Sequence, residues 1–240
     1  MDIVDALAAR DGLTCTVGAG GKKTTMATLA GRLDRAVVTA TVRIPIFDSW
    51  VADVVVTDDP VEAVERADAW PLGVVPEREC EDRYRGYDPA TVDALAGTGR
   101  PVLVKADGAR MRRFKAPNDR EPRLPGRAAT VVPIASAHVV GQPLDEDRVH
   151  RADRVSALTG LDLGDEIQPV DVATVLTSER GGRKGVPEGA TVVPLINMVD
   201  DETLEARARD VARAIHERVD VARVVLAEMR AEDPLVAVVE

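Results

Sequence analysis

Short apolar segments alternate with segments of helical periodicity along most of the chain. The apolar segments are rich in valine, as expected of strands that helices cover on both faces. Turn signals separate them from stretches with apolar residues three or four positions apart. This order predicts an α/β fold with a mostly parallel, doubly wound sheet in three layers. The predicted strands include 13–17, 36–41, 53–57, 71–75, 129–134, 190–196 and 221–226, and the predicted helices include 2–9, 88–96, 150–158, 169–176 and 200–219.

The length and composition suit one large domain. A chain of 240 residues can bury an ample core, and we expect a single unit over 1–240 with a possible inserted lobe at about 107–190. Apolar residues make up 45% of the chain but aromatic residues only 2%, so valine, alanine and leucine must fill the core.

The net charge limits the possible partners. At −10, the chain has no broad basic field, so neither nucleic acid nor an acidic membrane surface is an expected partner. The start of the chain lacks a basic leader, and no apolar run approaches the length of a membrane span. Two cysteines are too few for a disulfide framework or a zinc site. We therefore expect a cytoplasmic, soluble protein.

A glycine-rich loop follows the first predicted strand and precedes a helix-forming segment. Glycines let the main chain turn tightly and aim N–H groups at a phosphate, and the helix N-terminus adds its positive dipole end. A lysine can neutralise the outer phosphates, and a threonine hydroxyl can bind Mg²⁺. The loop therefore predicts ATP and Mg²⁺ as cofactors, and a sheet of the P-loop NTPase type. The candidate phosphate contacts are Gly18, Ala19, Gly20, Gly21, Lys22, Lys23, Thr24 and Thr25.

The spacing of this loop departs from the full P-loop, G-x-x-x-x-G-K-[ST]. Read with Lys22, the pattern would require glycine at Thr16. Read with Lys23, it would require glycine at Val17. Only a shorter G-x-x-G-K core remains, so the sequence leaves open which lysine acts on the phosphates. It also leaves open an ordinary glycine-rich turn with solvated lysines.

Hydroxyl residues end the second predicted strand. Thr39 and Thr41 lie where parallel strands of a doubly wound sheet face a ligand, so they are candidates for a further phosphate or magnesium contact. Threonine is also common in strands for reasons of packing alone, and the sequence does not decide between these interpretations.

A second motif resembles a Walker B element. An apolar strand that starts at Pro101 ends in Asp107, whose carboxylate would hold Mg²⁺ beside the phosphates. Many strands end in such Asp-Gly turns without binding a metal. Because a glycine-rich loop precedes it, we interpret Asp107 as a metal ligand.

A long basic stretch follows this aspartate. Residues 110–125 contain three prolines, which exclude a helix, and several arginines. Irregular segments of this length are often functional, so Lys115 and Arg110 are expected to clamp a phosphorylated ligand. A solvated surface excursion is the alternative. Further along, His150 and Arg151 either contact an anion or cap a helix at the surface.

Lysine is rare in this chain. Only five of the 31 basic residues are lysine, and a chain that uses arginine elsewhere is expected to keep lysine where a compact, mobile ammonium is required. GC-rich coding bias is the alternative explanation for the arginine excess. The five are Lys22, Lys23, Lys105, Lys115 and Lys184.

Several blocks, in the same order along the chain, resemble the YqeC family. The blocks are 18–22, 38–41, 106–110, 115–117, 131–133, 141–144, 149–151, 184–187 and 195–200. The resemblance implies a nucleotide-binding, ATPase-like accessory protein of selenium-dependent molybdenum hydroxylases. This chain departs from the family pattern at Lys23, where a hydroxyl residue is expected, at Lys105, where glutamate is expected, and at Met198, where lysine is frequent.

Three functions are compatible with these motifs. The leading hypothesis is a magnesium-dependent ATP-binding enzyme, in which Lys22, Asp107 and Lys115 act in catalysis and Thr24 and Asp107 hold the metal. From the resemblance, its partner would be a molybdenum hydroxylase or a molybdopterin-type cofactor. A non-enzymatic carrier of a phosphorylated pterin and a GTPase are the alternatives.

Overall fold

Ten strands form the central sheet of the computed structural model, which describes residues 1–240. The chain has fourteen strands in all: β1 (Leu13–Gly18), β2 (Val37–Ala40), β3 (Ile44–Pro45), β4 (Asp53–Val56), β5 (Leu72–Val75), β6 (Arg83–Tyr84), β7 (Val102–Lys105), β8 (Phe114–Lys115), β9 (Ala128–Ser136), β10 (Val149–His150), β11 (Thr191–Val192), β12 (Leu195–Asn197), β13 (Val224–Ala227) and β14 (Leu235–Val239). Across the sheet the order is β14-β13-β12-β9-β1-β7-β2-β5-β4, and β11 pairs with β9. Two further pairs, β3 with β6 and β8 with β10, stand outside it.

Seven α-helices accompany the strands. They are α1 (Ile3–Ala6), α2 (Lys22–Ala30), α3 (Pro60–Arg66), α4 (Pro89–Leu95), α5 (Ala152–Thr159), α6 (Pro169–Thr177) and α7 (Glu202–His216). Short 3₁₀ turns lie at Asp48–Trp50, Ala96–Thr98 and Ala137–Val139. None of the helices combines the length and apolar character that a membrane crossing requires.

Apolar clusters cover both faces of the sheet. In β7, Val102 and Val104 belong to the cluster that includes α3 and α4, whereas Leu103 belongs to the cluster that includes α1 and α2. Neighbouring residues of a strand point to opposite faces, so these helices lie on opposite sides of the sheet. Every pair in the central sheet is parallel except β13 with β14. The predicted three-layer α/β arrangement with a mostly parallel sheet is confirmed.

A third apolar cluster joins α5, α6 and α7 to the ends of β9, β12 and β13. It includes residues inside the suggested lobe at 107–190, such as Val149, and residues outside it, such as Leu204. The lobe as a separate unit stays a prediction.

Several predicted boundaries differ from the structure. The predicted strand 190–196 is two short strands, β11 and β12, because Pro194 between them has no N–H to donate to a ladder. Within the stretch 77–87, Arg83 and Tyr84 form β6, which pairs with β3, and Tyr84 and Tyr87 are buried. The antiparallel strand β14 was not predicted.

The order of the strands brings the two sequence motifs together. Strand β1 lies between β7 and β9, and all three run in the same direction. Their carboxyl ends therefore open onto one edge of the sheet, as in other doubly wound folds. The glycine-rich loop leaves β1 at this edge, and Asp107 follows β7 beside it.

Candidate functional site

Three glycines shape the loop between β1 and α2. Gly18, Gly20 and Gly21 have φ angles of 87°, 99° and 118°, a region that other residues rarely adopt. A Cβ at Gly18 would lie 2.3 Å from the carbonyl oxygen of Ile134, and one at Gly21 would lie 2.2 Å from Nδ2 of Asn197. The loop can therefore follow this path only with glycine at these positions.

The main-chain amides of the loop divide into two groups. The N–H of Gly18 donates to Oδ2 of Asp107 at 2.8 Å, and that of Ala19 donates to the carbonyl of Ile134 at 2.9 Å. The N–H groups of Gly20, Gly21 and Thr24 have no acceptor within the protein. Free amides at the start of a helix form a site for an anion.

Lys22 is the loop lysine that faces the site. It is 5% exposed, its ammonium donates to the carbonyl of Gly18, and its Nζ lies 2.8 Å from Oδ1 of Asp107. Burial lowers the pKa of Lys22 below its usual value, although Asp107 opposes this shift. Lys23 is half-buried and its side chain forms no hydrogen bond or ion pair. The two lysines thus have different environments.

Asp107 lies between two ammonium groups. Its Oδ2 is 2.9 Å from Nζ of Lys115, and both carboxylate and ammonium are 1% exposed. Although burial raises the pKa of Asp107, Lys22 and Lys115 together hold it below its usual value. The contact of Lys22 with Oδ1 lacks hydrogen-bond geometry, so this buried oxygen keeps a free acceptor position.

Glu121, which the sequence did not point to, and Arg151, a candidate anion contact, complete a chain of charges. Glu121 lies 3.1 Å from Nζ of Lys115 and accepts from Arg151 at 2.8 Å and from the N–H of Gly108 at 3.1 Å. Burial raises the pKa of Glu121, but Lys115 and Arg151 outweigh this effect and hold the pKa below its usual value. Glu121 precedes a proline in an irregular segment, and only the folded chain brings Arg151 to it.

Four of the five lysines donate to main-chain carbonyls near this edge of the sheet. Besides Lys22, the acceptors are the carbonyls of Gly108 for Lys115, Arg43 for Lys105 and Asn118 and Glu121 for Lys184. Lys22 begins α2, Lys105 ends β7 and Lys115 ends β8. The rare lysines therefore hold the loops of the site together, as their compact ammonium allows.

The part of the chain that contains this site matches a known protein family. Residues 14–153 match the family described as YqeC protein, and this is more than half of the chain. The chain belongs to the YqeC family. The resemblance drawn from its motifs is thereby confirmed.

The chain also resembles a protein of Escherichia coli. The chain is 31% identical over 121 residues to the uncharacterized protein YqeC of Escherichia coli (strain K12). The alignment covers 49% of this chain and 46% of the relative, so the chain spans about half the length of the relative it matches. No solved structure matches the chain.

The region that matches the YqeC family contains the charged network. The glycine-rich loop, Asp107, Lys115, Glu121 and Arg151 all lie within residues 14–153. Lys184 and Asn197, which support the loops from outside, lie beyond the matched residues.

Three threonines predicted as ligand contacts have other partners. Thr39 donates to the carbonyl of Val74 at 2.8 Å, and Thr41 donates to that of Arg123 at 2.6 Å. Thr25 donates to the carbonyl of Gly21 at 3.1 Å, and all three threonines are 0% exposed. Their hydroxyls therefore hold the main chain in this structure, and a ligand contact of these threonines stays a prediction.

The remaining predicted contacts lie at the rim of the site. The hydroxyl of Thr24 is half-buried and forms no hydrogen bond. Arg110 is exposed, without a side-chain partner, and its φ of 47° is in the left-handed region. The basic stretch is not a solvated excursion, because Phe114 to Pro117 are buried.

Asn197 supports the loop instead of facing the solvent. Its Nδ2 donates to the carbonyl of Gly20 at 2.8 Å, and its Oδ1 accepts from the N–H of Met229 at 3.2 Å. Asp200, three residues on, lies 2.7 Å from Nε2 of His138. Asn197 is therefore a support of the loop, whereas Asp200 forms a partly exposed pair with His138.

The structure has no cluster of metal-binding side chains, and its two described clefts lie apart from the glycine-rich loop. No group of three or more His, Cys, Asp and Glu side chains could hold a metal ion by itself. Two clefts of about 330 Å³ each adjoin β4, and Asp53 lines both. They lie at the β4 edge of the sheet, away from the glycine-rich loop.

Proposed function

We propose that this YqeC family member is a magnesium-dependent ATP-binding protein of P-loop type, which hydrolyses the nucleotide or transfers its phosphoryl group. One observation carries the proposal: the loop from Gly18 to Lys22 presents free amides at the start of α2, opposite the buried carboxylate of Asp107. A nucleotide supplies the anion that such amides bind.

Lys22 would act on the outer phosphates. Its ammonium already lies at the loop, held by the carbonyl of Gly18 and by Asp107. A phosphate at the amides would compete with Asp107 for this ammonium. Lys115, the second cation on Asp107, would close on the same phosphates and stabilise the charge of the transferred group.

Thr24 and Asp107 would bind a magnesium ion that accompanies the nucleotide once the phosphate draws the ammonium of Lys22 away from Asp107. The hydroxyl of Thr24 is unpaired, and Oδ1 of Asp107 is a buried oxygen without a hydrogen bond. Since Mg²⁺ takes oxygen ligands and keeps several waters, one or two protein ligands are sufficient. The ion would supply charge neutralisation to the phosphates.

The cellular role follows from the family resemblance alone. On that basis the protein would assist the maturation of a selenium-dependent molybdenum hydroxylase or of its cofactor, in the cytoplasm.

A carrier without turnover is the second candidate function. Both oxygens of Asp107 lie within 2.9 Å of a lysine, an arrangement that favours anion binding over metal binding. In this version the loop would hold the phosphate of a pterin cofactor, and the lysines would remain paired with Asp107.

Calorimetric titration with Mg²⁺ and ATP tests the proposal. Lys22→Ala should weaken ATP binding by at least about tenfold, since a charge-assisted contact to phosphate is lost. The matched variant Lys23→Ala removes the neighbouring, half-buried lysine and should change binding little. Equal losses in the two variants, or no ATP binding by the wild type, would refute the proposal.

Turnover distinguishes the enzyme from the carrier. The enzyme releases phosphate from ATP, and Asp107→Asn abolishes that release while the circular dichroism spectrum stays native. Tight binding of a phosphorylated pterin without phosphate release would support the carrier. Competition between GTP and ATP for the site tests the GTPase alternative.

A further inference from the structure

His150 is a buried imidazole without a partner. The residue is 9% exposed, and neither ring nitrogen forms a hydrogen bond. It ends β10 and lies directly opposite Lys115 of β8 in the parallel pair. The proposed ATP site therefore adjoins an imidazole whose hydrogen-bonding groups are unused.

Cations surround this imidazole. Burial lowers the pKa of His150 to about 4, and Arg151, Lys115 and Arg110 lower it in the same direction. The ring is thus neutral at physiological pH, with one N–H donor and one nitrogen acceptor. A neutral ring among cations can contact an anion without adding a further buried charge.

The positive charges of this region outnumber the negative ones. Lys22, Lys115, Arg110 and Arg151 are four cations, whereas Asp107 and Glu121 are the two carboxylates among them. Both oxygens of Glu121 already accept hydrogen bonds, from Gly108 and from Lys115 and Arg151. In a chain with a net charge of −10, this local excess calls for anionic ligands.

The two arginines beside His150 hold uncommon backbone conformations. Arg110 has a φ of 47° and Arg151 a φ of 64°, where residues with a side chain are strained. Strain of this kind tends to occur at functional sites, where the surrounding structure maintains it. The Arg110 side chain has no acceptor in the protein and is exposed, so it can reach a ligand.

We propose that His150, Arg110 and Lys115 form a second phosphate subsite, which binds the phosphate group of a small-molecule second substrate next to the ATP site. This inference deepens the proposed function and rests on it for the identity of the second substrate. Arg110 supplies a mobile guanidinium, and His150 donates to a phosphate oxygen or accepts from a phosphate hydroxyl. Lys115 lies between the two sites and neutralises charge on both.

The ring resonances of His150 provide the test. The chain has three histidines, so its ring signals are few, and His150→Asn assigns the signal concerned. The probe is inorganic phosphate, titrated into protein whose loop is filled with Mg²⁺ and a non-hydrolysable ATP analogue. The expected result is a saturable shift of the His150 signal, while the signal of His216 stays in place.

Two variants make the test specific. Arg110→Gln should weaken the phosphate-dependent shift about tenfold, because a charge-assisted contact is removed. The matched variant Arg120→Gln changes another exposed arginine of the same basic stretch and should leave the shift unchanged. Lys22→Ala, which removes the loop lysine, should keep the shift.

The outcomes separate the two proposals. If phosphate leaves the His150 signal unmoved, or if a bound ATP analogue abolishes the shift, the second subsite is refuted. Equal effects of Arg110→Gln and Arg120→Gln would also refute it. If the ATP analogue fails to bind but phosphate still shifts His150 in an Arg110-dependent way, the subsite stands and the nucleotide function fails.

Discussion

Nζ of Lys22 and Oδ1 of Asp107 lie 2.8 Å apart, and their side chains are 4% and 1% exposed. The pair joins the first residue of α2 to the residue two positions after β7. A buried ion pair offsets its desolvation only when further polar contacts surround it. Here the N–H of Gly18 and the ammonium of Lys115 supply them, so the pair fixes the loop against the neighbouring strand.

Removal of the carboxylate should destabilise the fold. Asp107→Asn leaves the buried ammonium of Lys22 without a counter-charge and Lys115 with Glu121 alone, and the free energy of unfolding should fall by about 3–5 kcal/mol. In the double variant with Lys22→Met, the loss should be smaller than the sum of the single losses by about 1–3 kcal/mol. Urea unfolding of the four proteins measures this coupling.

A surface pair is the control for that cycle. Arg209 and Glu205 lie 2.7 Å apart on α7, with side chains 49% and 34% exposed. Their coupling in the same type of cycle should be only about 0.3–0.5 kcal/mol. Additive losses for Lys22 and Asp107 would contradict the ion pair.

The shape of the loop makes Gly18 sensitive to a single methyl group. Gly18→Ala combines a φ of 87° with a Cβ 2.3 Å from the carbonyl oxygen of Ile134. Left-handed strain and overpacking together should lower the free energy of unfolding by about 2–4 kcal/mol. Urea titration monitored by circular dichroism provides the measurement.

Gly97 is the matched control for the Gly18→Ala variant. It lies in the 3₁₀ turn Ala96–Thr98, its φ is not positive, and a Cβ there would meet no atom within 4 Å. Gly97→Ala should stabilise the protein by about 0.4–1 kcal/mol, because the unfolded chain loses freedom. A small effect of Gly18→Ala, close to that of Gly97→Ala, would show that the loop adopts another path in solution.

Stability should rise with pH above neutrality because of Lys105. Burial, and then repulsion from Lys22, lower the pKa of Lys105 from 10.5 to about 7. Between these values the unfolded chain binds the additional proton, so the free energy of unfolding increases with pH, by at most about 1.4 kcal/mol per unit. Lys22 acts in the same direction, since its pKa is also lowered.

Lys105→Met isolates this contribution. Urea unfolding of the variant at pH values from about 7 to 9.5 should show a smaller rise than the wild type, because Lys105 no longer titrates. The scan stops before unfolded tyrosines ionise. Lys23→Met, at a half-buried lysine without partners, should keep the wild-type rise. An unchanged rise in Lys105→Met would mean that this lysine stays charged in the fold.

Local patterns in the sequence accounted for much of the molecule. Valine-rich strands that alternate with helices predicted the parallel three-layer fold, because burial on both faces requires continuous apolar runs. The glycine spacing predicted a tight turn before α2, and the apolar run before Asp107 predicted a strand that ends in a carboxylate. The structure has both features, side by side.

Local patterns in the sequence did not predict contacts between segments that are far apart along the chain. Glu121 carries no local signal. Arg151, thirty positions further on, was a candidate only for an anion contact or a helix cap, yet the two residues complete the charged chain that reaches Asp107. Thr39 and Thr41 were predicted as ligand contacts. In the structure Thr39 donates to a carbonyl of β5, the neighbouring strand, and Thr41 donates to a carbonyl of the segment after Asp107.

The sequence by itself determined the order of strands and helices, the glycine turn and the family, since each depends on residues that are close along the chain. Only the tertiary structure decided which charges meet, which hydroxyls are buried and which lysine faces the carboxylate. The physical reason is that burial and ion pairing depend on distances in space, and strand order brings β1, β7 and β9 together from separate parts of the chain.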